Sequence, residues 1–108
     1  MFNIQVELIE NENIELSQGA NHFKGLEGVG GKLFITNKRI VFKSHSINLQ
    51  NHELTIMYPE ILSIELYNTL GIVPNGLKII TKSGKNEKFV VWKRKIIKKI
   101  IEGKIACI

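Results

Sequence analysis

Between Gly31 and Phe42 the chain reads Gly-Lys-Leu-Phe-Ile-Thr-Asn-Lys-Arg-Ile-Val-Phe, and this segment restricts the folding most. Two runs of aliphatic, β-branched and aromatic residues, 33–36 and 40–42, flank the polar pair Asn37-Lys38. Such runs suit pleated, half-buried backbone, and asparagine tolerates the positive φ that short hairpin turns demand. A β-hairpin is therefore expected over residues 32–44. A second is expected where residues 77–82 and 87–92 flank Ser83-Gly84-Lys85-Asn86.

The same signals predict further strands over residues 14–24, 53–57 and 61–67. Pro59 cannot donate a ladder hydrogen bond, so the strand before it ends there. Phe2, Ile4, Val6 and Leu8 alternate with polar residues, which predicts a short strand or extended arm within residues 1–13. The glycine-rich stretch 25–31 reads as a flexible loop, as do residues 45–51 and residues 68–76.

After Trp92 the period changes. Ile96, Ile97, Ile100 and Ile101 fall on one face of a helix, with Lys95, Lys98, Lys99 and Glu102 on the other. The spacing predicts a helix over 93–103 that stops at Gly103, followed by a tail, 104–108. About seven short antiparallel strands cannot leave an apolar face in water, so they pack as two sheets or curl into a barrel. The isoleucine face of the helix then closes an open end. The expected architecture is mainly β: one domain, with an arm (1–13), a two-sheet partly open barrel (14–92) and a capping helix.

Composition narrows the function classes. At 108 residues with 44% hydrophobic content and mean hydropathy +0.01, the chain suits one folded core. No apolar run approaches the ~20 residues that span a bilayer, and no export signal opens the sequence, so a cytoplasmic protein is expected. The single cysteine, Cys107, forms no internal disulfide and leaves no thiolate zinc cluster. Net charge is +5 and the pI is near 9.4. The acids Glu7, Glu10, Glu12 and Glu15 sit in the arm and just after it, whereas Lys93, Arg94, Lys95, Lys98, Lys99 and Lys104 crowd the C-terminal end. Such separation attracts anionic partners, or leaves two solvated faces, or draws the two ends together.

The pattern Gly31, Thr36-Asn37-Lys38-Arg39, Phe42 and Ser44, followed by the Pro-containing stretch 57–64 and the strand pair 77–92, resembles the GRAM domain. That family belongs to the pleckstrin-homology-like superfamily. The similarity runs from about residue 14 to 102 and is strongest to small bacterial proteins made of one such domain. The resemblance implies a seven-stranded partly open barrel capped by a C-terminal helix, no cofactor, and an association with membranes and lipid head groups. The basic loop and paired cations of phosphoinositide-binding relatives are matched only by Lys24 and Lys32, with Glu27 between them, which makes these two weak head-group candidates.

Other motifs lack the context their chemistry needs. The 25–31 stretch has no Gly-Lys-Ser/Thr ending and leads into a strand, not a helix N-terminus. His22, His45 and His52 show no metal-ligand spacing. Asn21-His22 and Asn51-His52 are expected to bond loop backbone instead. Ser44, His45 and Ser46 offer a nucleophile and a base in name only, so no catalytic residue is assigned and a non-enzyme is expected.

Two candidate contact regions remain. Lys93, Arg94, Lys95, Lys98 and Lys99 form the first, because cations at a helix start oppose the backbone dipole and so suit an anion. Leu70, Ile72 and Val73 form the second, either folding back to seal the barrel mouth or gripping a membrane or partner. Tyr67 and Trp92 are expected in the core or at its rim. The leading expectation is a binding module, cytoplasmic or peripheral to the membrane, that engages a protein partner or an anionic membrane surface. A self-assembling scaffold that pairs open strand edges is the alternative. Nucleic acid ranks last, for want of an exposed aromatic platform.

Overall fold

The computed structural model describes residues 4–45 and 52–108. Seven antiparallel strands form one curled sheet: β1 (Ile14–Lys24), β2 (Glu27–Thr36), β3 (Arg39–Ser44), β4 (Glu53–Met57), β5 (Ile61–Thr69), β6 (Val73–Thr81) and β7 (Asn86–Val91). A short 3-10 turn, Tyr58–Glu60, joins β4 to β5, and one helix, α1 (Arg94–Ala106), ends the chain. The strand order is β4-β3-β2-β1-β7-β6-β5. This is the expected mainly-β, partly open barrel with its C-terminal helix. β1 pairs with β2 from end to end but with β7 only between Ala20↔Val91 and Phe23↔Lys88. The halves of the sheet therefore meet along a short seam, and β4 and β5 are left as edges.

Side-chain alternation decides what lies inside. Leu33 and Ile35 of β2, Ile40 and Phe42 of β3, Leu77 and Ile79 of β6, and Phe89 and Val91 of β7 point into one buried core. Ile97 and Ile101 of α1 complete it, both fully buried against the β5–β6 side. Each contributes about 1.5–3 kcal/mol before side-chain entropy is subtracted. Ile100 is half-buried, but Ile96 is exposed, so the expected four-isoleucine plug is narrower than its spacing implied.

Several boundaries differ from expectation, each for a physical reason. α1 runs through Gly103 to Ala106. Gly costs a helix only about 1 kcal/mol relative to Ala. Here Ile105 packs on the core and Lys104 Nζ meets Glu15 at 2.6 Å, which holds the last turn in place. Residues 27–31 are not loop; they continue β2 opposite β1, leaving only a turn with Gly25 at φ 63°. Gly31 is needed because a Cβ there would lie 2.2 Å from the Lys43 carbonyl oxygen. The loop expected over 68–76 shrinks to a turn between β5 and β6. Residues 46–51, most of the remaining expected loop, lie outside the described residues, as do Phe2 and Asn3.

The Thr-Asn-Lys-Arg turn works differently from a positive-φ hairpin, for Asn37 has no positive φ. Instead the Thr36 hydroxyl accepts the N–H groups of Lys38 (3.0 Å) and Arg39 (2.9 Å) and donates to Glu12 Oε2 (2.7 Å). Arg39 grips the same carboxylate in a fork, Nε to Oε2 at 2.9 Å and Nη2 to Oε1 at 3.0 Å. Asn37 donates to the Asn11 carbonyl and accepts from the Asn13 N–H. The motif is thus a clamp on the N-terminal arm. Arg39, Lys38 and Lys43 also donate to the arm carbonyls of Glu7, Glu10 and Gln5. Arg39 and Lys43 flank Val41 on the outer face of β3, so the arm crosses that face. There Val41 and its register partner Phe34 are buried outside the main core.

Candidate docking surface at one end of the barrel

The β5–β6 turn presents an anomaly. Leu70 (φ 55°) and Gly71 (φ 73°) are consecutive positive-φ residues, and Ile72 N–H donates to the Thr69 carbonyl at 3.1 Å. Both central residues of this tight hairpin turn therefore have the φ sign of a type I′ turn, in which Asn-Gly or Asp-Gly is normal. A leucine in the left-handed region costs about 1–2 kcal/mol. Packing does not offset it, because the Leu70 side chain is 90% exposed and Ile72 beside it is 80% exposed. Val73 is exposed as well. The three residues do not fold back to seal the barrel.

The end of β7 is next to this turn. Gly76↔Val90 is the last register pair between β6 and β7, and Asn75 and Trp92 line one shallow cavity beyond it. Trp92 is 92% exposed, so its expected place in the core or rim is corrected. Period two explains the difference: Phe89 and Val91 point inward, which turns Trp92 out. This also removes the premise that ranked nucleic acid last. Tyr67 is half-buried, with its ring over Gly76 and its hydroxyl donating to the Phe89 carbonyl at 3.3 Å.

α1 starts at the same end and is tied to it. Arg94 Nη1 donates to the Tyr67 carbonyl at 2.7 Å, close to the Gly76 carbonyl (3.4 Å). Arg94 is therefore an anchor between helix and hairpin. Lys98 is also engaged, with Glu102 at 2.8 Å one turn on. Lys93, Lys95 and Lys99 are exposed and form no ion pair among the described residues. The arm acids do not draw them in; Lys104 alone of the helix cations reaches Glu15. No acidic residue lies in the first turn, and the side chain that meets its start, Gln18 through Oε1 to the Trp92 and Lys93 N–H groups, is neutral, so no negative charge there offsets the lysines.

Lys24 and Lys32 are not brought together. Their register partners on the β1–β2 ladder are Glu27 and Gly19, and five steps along β1 separate the two positions by about 17 Å. Lys32 Nζ lies over the Phe34 ring, 5.6 Å from its centroid, on the outer face. At the far end of the barrel, a cavity of about 490 Å³ is lined by Glu60 and Glu87 as well as Lys82 and Lys85. Its charge is mixed.

The histidines bond each other, not loop backbone. His22 Nδ1 and His52 Nε2 are 2.6 Å apart, and His22 Nε2 lies 2.9 Å from Glu87 Oε1. His22 is buried against Phe42 and Phe89. His45 is exposed, and its ring lies over Gly30. The Ser44 hydroxyl accepts the His52 backbone N–H at 3.0 Å. Sequence reasoning missed the His22–His52 and Glu12–Arg39 pairs because their members are 30 and 27 residues apart.

A curled seven-stranded antiparallel sheet closed by a C-terminal helix is the pleckstrin-homology-like architecture, and solved structures agree. The chain is similar to the C-terminal domain of an unknown protein from Leishmania infantum, with TM-score 0.75 and 20% identity over 88% of this chain and 85% of that one. It is similar to the Vps36 N-terminal PH domain, with TM-score 0.71 and 14% identity over 93% and 83%. It is also similar to the Slm1 PH domain, solved in complex with inositol-4-phosphate, with TM-score 0.59 and 9% identity over 86% and 94%. At these identities the likeness is one of fold. No curated protein sequence matches significantly. The GRAM domain family model matches residues 1–101, so the chain belongs to the GRAM domain family.

Proposed function

We propose that this GRAM domain is a non-catalytic binding module that docks on an anionic membrane surface through the end of the barrel where β5, β6 and α1 meet. Leu70 carries the reading: an exposed leucine held in a left-handed conformation that stability alone would assign to Asn or Gly. Backbone strain retained for an apolar tip is explained when the tip has something to enter. Leu70 and Ile72 would insert, Trp92 would sit at head-group level, and Lys93, Lys95 and Lys99 would face the anionic lipids. Arg94 would hold the helix and hairpin in one orientation. No helix among the described residues is long and apolar enough to cross a membrane, so contact of this kind would be peripheral.

Each lysine near an anionic surface adds about 1 kcal/mol, so the three supply about 3 kcal/mol, or roughly 150-fold in affinity. The non-catalytic part of the reading is supported by how the nominal nucleophile and base are used. The Ser44 hydroxyl accepts the His52 backbone N–H, and the exposed His45 ring lies over Gly30.

The test is co-sedimentation with phosphatidylserine-containing and purely zwitterionic vesicles. Wild type should bind the first and spare the second. Leu70→Asn should hold or raise stability while weakening binding, which separates function from folding. Changing Lys93, Lys95 and Lys99 to Gln should abolish the preference for anionic lipid. Equal failure on both vesicles overturns the membrane reading and leaves a protein partner as the occupant of this end.

A further inference from the structure

We propose that His22, His52 and Glu87 form a proton-operated latch across the far end of the half-barrel, closed while the imidazole pair carries at most one extra proton and opened by a second. The latch lies at the opposite end from the docking surface and is independent of that reading. It joins three elements: His22 is on β1, His52 immediately precedes edge strand β4, and Glu87 is on β7.

Proton placement follows from the partners. The Glu87 carboxylate only accepts, so His22 Nε2 carries a hydrogen. In neutral His22 the Nδ1 atom is then an acceptor, and His52 Nε2 must supply the hydrogen of the 2.6 Å contact. Adding one proton preserves every bond. His22 becomes imidazolium between Glu87 and His52, and His52 shifts to its Nδ1–H tautomer with Nε2 accepting. A second proton cannot be accommodated, because both facing nitrogens would then carry hydrogens and both rings a positive charge.

The surroundings sharpen the step. β3 and β7 present the rings of Phe42 and Phe89 to His22, and β2 places Val29 opposite it in the register, so among the described residues Glu87 is the one charged group bonded to the pair. The charged groups acting on His52 are His22 and Lys24 from β1, which oppose its protonation, and Glu87 from β7, which favours it. Burial and the neighbouring His22 hold His52 below the usual imidazole range. A depressed folded value means that the stability present above the ordinary 6.5 is lost as pH falls, so acid opens the latch. Opening frees the β4 end from β1 and leaves the two Ser44–His52 contacts as its last tie to β3, so that end frays.

The experiment is a titration of the histidine ring nitrogens by NMR from about pH 8 to about pH 4.5, bracketing the ordinary imidazole value, with amide exchange followed in parallel. Two coupled steps are expected, the second below 6.5. As the second proton binds, amide protection at His52 and Glu53 should fall by at least ~10-fold relative to α1, the equivalent of one unit of pKa. Glu87→Gln should move opening to lower pH, because the carboxylate favours protonation of the pair, and His52→Gln should abolish the acid step. Independent titration of the two rings near 6.5 would overturn the proposal. So would unchanged exchange at His52, or an opening pH unmoved by Glu87→Gln.

Discussion

Glu12→Gln removes the charge at the centre of the arm clamp. Arg39, Thr36 and the Ile9 N–H together hold the Glu12 carboxyl down to about 2 from its ordinary 4.5, against the opposing effect of burial. That depression corresponds to about 3 kcal/mol of stability at neutral pH. The Glu12 side chain is fully covered, but the Arg39 side chain is 15% exposed. Solvent screening therefore lowers the expected loss to about 2 kcal/mol. Glutamine nearly preserves volume but has one acceptor oxygen, so it removes the charge together with one of the two bonds from Thr36 (to Oε2) and Ile9 (to Oε1). In urea at pH 7 the midpoint should fall by about 1–2 M. The acid limb gives the second readout. A lowered carboxyl contributes stability that is complete above its unfolded value and lost as pH falls from about 4.5 towards 2, so wild type should lose stability there. Glu12→Gln should lack that limb. Arg39→Met should cost more, because it leaves a buried carboxylate unpaired, and the double variant should cost less than the two losses added. A Glu12→Gln midpoint equal to wild type, with the acid limb retained, would refute the reasoning.

A Cβ on Gly76 would lie 2.5 Å from the Tyr67 ring, so Gly76→Ala should cost about 1–3 kcal/mol by overpacking, and Gly76→Ala with Tyr67→Ala should recover part of it in thermal melts. Ile97→Ala should cost about 2–5 kcal/mol, whereas Ile96→Ala, one position away on the exposed side, should stay within about 0.5 kcal/mol; equal losses would show that the helix docks by a different face.

What the sequence disclosed depended on the range of the interaction. Strand-forming runs between turn signals located every strand, and for β1 and β4 they also gave the observed bounds, whereas the period-two run at residues 2–8 forms no strand among the described residues and is an arm. The helix face was legible for Ile97 and Ile101 but not for Ile96, since spacing defines a stripe and only the docking angle decides its width. Glycine misled twice. Gly28, Gly30 and Gly31 looked like loop but lie in β2, where Gly31 answers to the Lys43 carbonyl across the ladder, a demand no local pattern contains. Gly103 resembled a helix stop, but the Lys104–Glu15 pair 89 residues apart carries the helix past it. In the candidate site, the apolar turn and the cationic helix start were both visible in sequence. Their shared location was not, because it depends on the β6–β7 register and on Arg94 spanning helix and hairpin. Trp92 could have been placed outside by carrying the alternation of Phe89 and Val91 one step further. Leu70 could have been suspected from a Leu-Gly pair where turn chemistry asks for Asn-Gly.

Trp92 is the only tryptophan in the chain, and its 92% exposure makes its fluorescence a direct reporter of docking. The account predicts a blue shift when phosphatidylserine vesicles are added, reversed by high salt and lost when Lys93, Lys95 and Lys99 are changed to Gln. An emission maximum that stays at its water-exposed position with anionic vesicles, at low salt and saturating lipid, would contradict the claim that this end of the barrel meets a membrane.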